Sequence, residues 1–373
     1  MWVIFGVTIG YLIVIGIISY GWFSLSTPVN KQESNPVVNV SVVIAVRNES
    51  RNIQNLLRQI VNQNYNSNSY EIIIVNDHST DNTIQLVNQV LNKHPDIKIK
   101  VIEARGEGKK SALKEGIEIS SAQLIVTTDG DCHVKQGWLL SIVNYYNLSG
   151  CKLIIGPVIY EHEKTILQKM FSLDFVSLVA SGAGSAGVGL PLMGNGANLA
   201  FERNTYNEIS SRGNQAKYAS GDDVFLIHKV TSRYGAKAVG FLRNNDAIVS
   251  TLPPLSLYDF FDQRKRWASK AMGYRTAWPV IVSLTVFFFN AILFIMLASS
   301  LYFTWLLPVY IMVIITKFLI DMPLVFNFLS FAQKPNLKPI LFLMEFVYPL
   351  YIVMVAITSF IFRFDWKGRS QLK

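Results

Sequence analysis

The spacing of hydrophobic residues divides this chain into three regimes. Residues 1–23 are apolar and carry no charge. Across 40–127, short β-branched runs alternate with segments whose apolar residues recur every three to four positions. From 278 onward, long uncharged stretches return. The middle regime predicts strands over 40–46, 71–75, 98–102 and 123–127. Between them it predicts helices over 50–62, 83–91 and 109–119, the first presenting Ile53, Leu56, Leu57 and Ile60 on one face. Strands alternating with helices imply parallel βαβ units with right-handed crossovers. The fold class expected is therefore α/β, with a Rossmann-like and mostly parallel sheet.

The outer regimes read as membrane. Residues 1–23 lack the basic start of a signal peptide and are too long in their apolar run, so an uncleaved anchor is expected. The uncharged stretch 278–316 is too long for one pass of about 20 residues and reads as a helical hairpin. Residues 339–362, interrupted only by Glu345, are a further candidate span. The organisation expected is an anchor over 1–23, a polar linker over 24–37 and an α/β domain over 38–255. An amphipathic helix over 256–276, a membrane region over 277–362 and a basic tail over 363–373 follow. One more helix is expected over 166–178, and a mobile glycine-rich loop over 181–198. The loop contains Gly182-Ala183-Gly184-Ser185-Ala186-Gly187, but this follows a helix and precedes Pro191, so it is not a dinucleotide fingerprint.

Charge sets orientation. Lys and Arg number 34 against 25 Asp and Glu, a net +9. Lys31, Arg47 and Arg51 follow the anchor, and Arg264, Lys265, Arg266, Lys270 and Arg275 precede the hairpin, which puts the domain on the cytoplasmic side. An external N-terminus, a hairpin and one last span would leave Arg363, Lys367, Arg369 and Lys373 outside, against that rule. Either 339–362 does not cross fully or 322–331 also enters the membrane. Lys317 and Asp321, four apart, read as a structural pair at the membrane boundary. No basic stripe carries a nucleic-acid recognition motif. Two cysteines, Cys132 and Cys151, are too few for a disulfide framework or a zinc site.

Four short motifs carry candidate chemistry. Asn76-Asp77 and Asp129-Gly130-Asp131 each follow a buried strand, where open α/β sheets hold ligands. Two carboxylates at a strand tip are costly to desolvate unless something positive neutralises them, and they suit a hydrated divalent cation bridged to phosphates. Helix capping accounts for Ser79, Thr80 or Asp81, and a plain turn is the rival reading of Asp129-Gly130-Asp131. Lys109, after Gly108 at a helix start, is placed to meet phosphate, whereas Lys110 and Lys114 read as solvated surface. His133 reads as a bystander. Asp222 and Asp223 open an apolar helix, one suited to capping and the other to general-base work on a hydroxyl. Gln263, Arg266 and Trp267 lie on the amphipathic segment, the first and last sharing a face; a lipid-surface helix explains the same residues.

Taken in order, these motifs resemble the family 2 glycosyltransferases of GT-A fold, specifically the membrane-embedded β-glycosyltransferases that include ceramide glucosyltransferases and the cellulose, chitin and hyaluronan synthases. The likeness spans roughly 38–270. It implies that Asp77 reads the nucleobase and that Asp129 and Asp131 hold Mg²⁺ or Mn²⁺ on a donor diphosphate, Asp129 also facing the donor. It implies Asp223 as the base, and closure of Gln263, Arg266 and Trp267 over donor and acceptor. Residues 194–203 look like the acceptor-side segment, so Gly196, Asn198 and Asp222 are acceptor-side candidates. Ala45, Arg47, Glu49 and Lys109 complete the nucleotide-sugar candidates. Asn76 stands where the family usually has Asp, and Asp222 where it has Glu.

The activity implied is inverting transfer of a hexose from a nucleotide sugar, in the uridine series by analogy, to a membrane lipid or glycan. The short chain after Trp267 favours a single addition to lipid. A processive polysaccharide synthase and an inactive nucleotide-sugar-binding assembly factor remain alternatives.

Overall fold

A computed structural model describes residues 2–26, 37–211, 222–269, 276–361, 364–366 and 369–371. The expected linker and the two aspartates' lead-in, Gly221, fall largely outside these, as do Lys31, Lys270, Arg275, Arg363, Lys367 and Lys373.

The chain begins with helix α1 (Trp2–Ser24), then alternates β1 (Val40–Val46), α2 (Ile53–Val61), β2 (Tyr70–Asn76), α3 (Thr83–Lys93), β3 (Lys98–Glu103), α4 (Lys109–Ile119), β4 (Leu124–Thr127) and α5 (Trp138–Ser149). Every unit expected over 40–127 is present. β1 and β2 are buried almost end to end, as continuous β-branched runs covered on both faces must be. Gly116 of α4 allows the helix to lie close on the sheet, since a Cβ there would fall 2.5 Å from Val43 Cγ1.

The second half is less regular. It holds β5 (Leu153–Ile155), β6 (Val158–Tyr160), α6 (Ile166–Gly187), β7 (Leu199–Glu202), α7 (Arg203–Ser211), α8 (Asp222–Tyr234), β8 (Val239–Phe241), β9 (Val249–Thr251) and α9 (Leu257–Ser269). Seven strands form one sheet in the order β3-β2-β1-β4-β7-β5-β8. Only β7 runs antiparallel to its neighbours. β6 and β9 pair separately, in parallel. The chain winds outward from β1 to β3 and then returns to β4 on β1's other side. The crevice between the carboxyl ends of β1 and β4 is thus the switch point where such sheets take ligands.

Three long helices follow: α10 (Ala277–Ser299), α11 (Leu306–Phe331) and α12 (Lys338–Ile361). Among the described residues, five helices are long and apolar enough to cross a membrane: α1, α6, α10, α11 and α12. The stretch 322–331 is part of α11, which runs on through Pro323.

α6 corrects the first part of the expected loop over 181–198, while 188–195 lie outside helix and strand. The small residues 181–187 are helical, and they form the seat on which α1 packs. A Cβ on Gly184 would lie 2.1 Å from Ile18 O, and one on Gly187 2.1 Å from Gly21 O. Glycine here serves close backbone approach between two helices rather than flexibility.

α1 is therefore more than a tether. Its last turns enter the same core as the sheet, with Ile18 and Trp22 fully buried. Trp22 meets Phe241, Phe328 and Phe331, and Arg243 stacks 4.3 Å from its ring. Arg243 Nη1 also donates to the Trp22 carbonyl at 3.3 Å, a cation closing the negative end of the helix.

Lys317 lies in the middle of α11, a candidate membrane span, rather than near either end of it. Its Nζ pairs with Asp321 at 2.7 Å and Glu345 at 2.5 Å, while Tyr11 donates to Asp321 at 2.9 Å. A lysine among apolar helices is tolerated when carboxylates surround it.

Candidate active site

The site is assembled from strand tips inward. After β1, Arg47 Nη1 donates to the Asp77 carbonyl at 3.0 Å, and Asp77 N donates to Val46 O at 2.8 Å. Asn48 and His78 both adopt left-handed φ of 54° just beyond their strands. The two turns are laced together: Asn48 N donates to Ser79 Oγ at 3.1 Å, and Thr80 N to Asn48 Oδ1 at 2.8 Å. Asn76 donates to both oxygens of Glu103 at the tip of β3. An aspartate at 76 would face that carboxylate with like charge, which gives the asparagine a physical reason.

Asp77 is buried, and its Oδ1 accepts the N–H of Gly108 at 3.0 Å. Gly108 has φ of 91°, which lets the chain turn into α4 with Lys109 as its first residue. The Lys109 amine forms an ion pair with Asp129. Gly130 is held under β1's exit: a Cβ there would fall 2.9 Å from Glu49 Cγ. Asp129-Gly130-Asp131 thus lines the switch-point crevice together with Glu49, and Asp131 Oδ2 accepts Thr251 Oγ1 at 3.4 Å.

Asp223 arrives from the far side. Its Oδ2 accepts the N–H of Gly196 at 3.2 Å, and its Oδ1 the N–H of Val224 at 2.9 Å. The Gly196 carbonyl in turn accepts Thr127 Oγ1 at 2.7 Å, two residues before Asp129. Burial alone would lower the Lys109 amine, but the charges of Asp129 and Asp223 raise it above its ordinary value. Burial lowers Arg266, with Asp129, Asp262 and Asp223 opposing. Two cations from different elements thus feel the same two aspartates, which agrees with the Lys109–Asp129 ion pair and with the link from Thr127 through Gly196 to Asp223.

Trp267 lines an apolar cavity beside Asp223, shared with Phe175, Leu178, Val179 and Met193. Gln263 Oε1 accepts Tyr160 Oη and Arg264 Nη1, each at 2.8 Å. Ala45, near the end of β1, is partly buried against the core.

Asn198 departs from expectation. Its Oδ1 accepts Trp138 Nε1 at 3.0 Å, and its Nδ2 donates to Pro157 O and Ala247 O at 2.8 Å each. The side chain is buried and committed to joining three segments, so it does not face an acceptor. The side chain of Asp222 lies outside the described residues. His133 is also engaged, against Glu161.

A residue pair passed over in the motifs is Arg264 with Asp174, Nε to Oδ2 at 2.6 Å. The signal was present: Asp174 is the one acidic residue between 166 and 187, and a buried charge in an apolar helix demands a partner.

Among the described residues, no group of three or more His, Cys, Asp or Glu could hold a metal. Two carboxylates at one strand tip still fit a hard cation that completes its shell with phosphate oxygens and water, as Mg²⁺ does.

The sequence profile described as glycosyl transferase family 2 matches residues 41–179, and that described as glycosyl transferase family group 2 matches 124–361. The chain belongs to the family 2 glycosyltransferases. Curated relatives include the glycosyltransferase AglE of Haloferax volcanii, 35% identical over 119 residues, 32% of this chain and 39% of that one. A poly-beta-1,6-N-acetyl-D-glucosamine synthase of Staphylococcus epidermidis is 28% identical over 43% of this chain and 39% of its own length. A beta-monoglucosyldiacylglycerol synthase of Trichormus variabilis is 28% identical over 36% and 29%. These matches span well under half of the relatives' lengths. Among solved structures, mannosyltransferase PcManGT from Pyrobaculum calidifontis, in complex with GDP-Man and Mn²⁺, aligns with a TM-score of 0.58 over 96% of both chains at 16% identity. This family 2 chain therefore has the GT-A fold, flanked by candidate membrane helices.

Proposed function

We propose that this family 2 chain transfers a hexose, with inversion, from a nucleotide sugar to a hydroxyl of a membrane lipid. The observation carrying the reading is the Lys109–Asp129 ion pair at the switch point, with Asp223 linked to the same strand end through Gly196 and Thr127 and standing beside an apolar cavity. Asp223 takes the proton of the acceptor hydroxyl. The acceptor oxygen bonds to the anomeric carbon, the bond to the diphosphate breaks, and its electron pair leaves with the nucleoside diphosphate. Lys109 and Arg266 offset the charge that gathers there. Asp129 and Asp131 would hold a divalent cation, which would supply further neutralisation of the leaving diphosphate. Mn²⁺ accompanies the donor in the Pyrobaculum structure, which supports that role.

A lipid acceptor is favoured because the space next to Asp223 is lined mostly by apolar side chains, among them Phe175, Leu178, Val179, Met193 and Trp267, with Asn195 as a further polar one. The glycolipid synthase relative supports this; the polysaccharide synthase relative supports processive addition as a second reading. Basic residues following α1 agree with a cytoplasmic active site.

The test uses full-length protein in lipid vesicles with Mn²⁺ and labelled UDP-glucose, UDP-N-acetylglucosamine and GDP-mannose, followed by mass analysis of lipids and polymer. Wild type is expected to label lipid by one sugar, and Asp223→Asn to lose at least a hundredfold in turnover while still binding donor. Long polymer as the product would replace the single-addition reading, and unchanged turnover in Asp223→Asn would remove Asp223 as base.

A further inference from the structure

We propose that Arg264 is a positioning residue that sets the orientation of Gln263 and Trp267 and ties them to membrane helix α12. The inference rests on the reading of the Gln263–Trp267 segment as part of the transfer site. Arg264 is 3% exposed, and its partner Asp174 on α6 is 1% exposed. The guanidinium spends its groups in three directions. Nε donates to Asp174 Oδ2 at 2.6 Å, and Nη1 donates to Gln263 Oε1 at 2.8 Å. Its centre lies 4.3 Å from the Trp267 ring and 4.7 Å from that of Phe260. A planar fork can do all of this at once, whereas an ammonium cannot.

The connection continues into the membrane bundle. Asp174 Oδ1 accepts the hydroxyl of Tyr348 on α12 at 2.8 Å. The Tyr348 ring lies 5.2 Å from Lys317 Nζ on α11, which pairs with Glu345. An unbroken series of contacts thus joins Trp267, at the wall of the acceptor cavity, to the charged centre of the membrane helices.

Stability alone is a poor reason for this pair. A buried ion pair loses much of its attraction to desolvation, and apolar residues of similar volume often serve a core as well. What the pair adds is direction. It permits one arrangement of α9 against α6 and α12, the one in which the Gln263 oxygen and the Trp267 plane are held. A shift of α12 then reaches the site through Tyr348 and Asp174.

The test compares wild type, Arg264→Lys and Tyr348→Phe, each as full-length protein in vesicles. Arg264→Lys keeps the charge beside Asp174 but gives up the bond to Gln263 and the flat face toward Trp267. Tyr348→Phe keeps the ring and removes only the hydroxyl that donates to Asp174. Turnover and donor KM are measured with whichever of UDP-glucose, UDP-N-acetylglucosamine or GDP-mannose wild type uses. In parallel, protein labelled with 5-fluorotryptophan is followed by fluorine NMR, the Trp267 signal being assigned with Trp267→Phe.

The expected result is a kcat at least tenfold lower in Arg264→Lys and three- to tenfold lower in Tyr348→Phe, with donor KM changed less than threefold. In both variants the Trp267 signal moves while the remaining tryptophan signals stay in place. A Trp267 signal unmoved in both variants, or a kcat within twofold of wild type in both, overturns the proposal. Should Arg264→Lys fail to fold, Tyr348→Phe decides alone. Should wild type transfer no sugar, the functional reading fails, and the fluorine spectra still decide whether Arg264 positions Trp267.

Discussion

Asp223 and Gly196 meet through a 3.2 Å hydrogen bond from backbone N–H to carboxylate, and the carbonyl of the same glycine accepts Thr127 Oγ1 at 2.7 Å. The candidate base is thereby linked to the strand that ends in Asp129-Gly130-Asp131. A hydrogen bond of this kind contributes about 1 kcal/mol net, and an orphaned buried acceptor costs about 1–3 kcal/mol. Thr127→Val is therefore expected to lower kcat about three- to thirtyfold through loss of Asp223 placement, with donor KM nearly unchanged. Steady-state kinetics at saturating lipid checks this; a rise in donor KM with kcat intact would contradict it.

The two-carboxylate strand tip predicts dependence on added cation. Chelation is expected to stop transfer, and Mn²⁺ or Mg²⁺ to restore it. Asp131→Asn removes one anionic ligand and should raise the cation concentration for half-maximal activity at least tenfold. Titrating Mn²⁺ into chelated wild-type and variant protein measures this directly. Full activity in excess chelator would remove the cation from the reaction.

Packing of α1 on α6 predicts a sharp contrast between two glycines. A Cβ at Gly184 would meet Ile18 O at 2.1 Å, whereas one at Gly16 meets nothing within 4 Å. Gly184→Val is expected to separate the helices and lower the apparent melting temperature by ten degrees or more. Gly16→Ala should leave it within two degrees, as measured in detergent or nanodiscs. Equal melting of the two variants would mean that the close approach contributes little.

Acid stability should depend on Glu71. Burial would raise its carboxyl, but hydrogen bonds from Lys100, Ser41 and Ser121 prevail and hold it at about 2. The folded value lies below the unfolded value of about 4.3, so the stabilisation is present above that pH and is lost as pH falls toward 2. Glu71→Gln is expected to be less stable at pH 7 and to lose less between pH 5 and 3 than wild type. Denaturant unfolding at several pH values would reveal parallel curves if the prediction is wrong.

Much of this arrangement was legible in the chain. Buried β-branched runs announced β1, β2 and β4, because strands covered on both faces have no polar alternation to blur them. The carboxylates at their tips followed from the same runs, and apolar length announced α1, α10 and α12, whereas α11 runs past the uncharged stretch to Phe331 and carries Lys317 and Asp321. The glycine-rich segment of α6 misled, since glycine signals either turns or close packing, and only the presence of α1 distinguishes them. Asn198 misled similarly: an asparagine in a promising segment proved to be a buried fastener of three strands of chain.

Local sequence determined the strands, their acidic ends and the long apolar helices, because hydrophobic period and missing charge act over a few turns of chain. Tertiary structure alone decided that Asp223 is linked through Gly196 to Thr127 at the end of β4, and that Arg264 closes on Asp174 ninety residues away. Such meetings depend on how α8 and α9 cross the sheet and α6. Those crossing angles arise from packing of whole faces, which no short stretch of residues records.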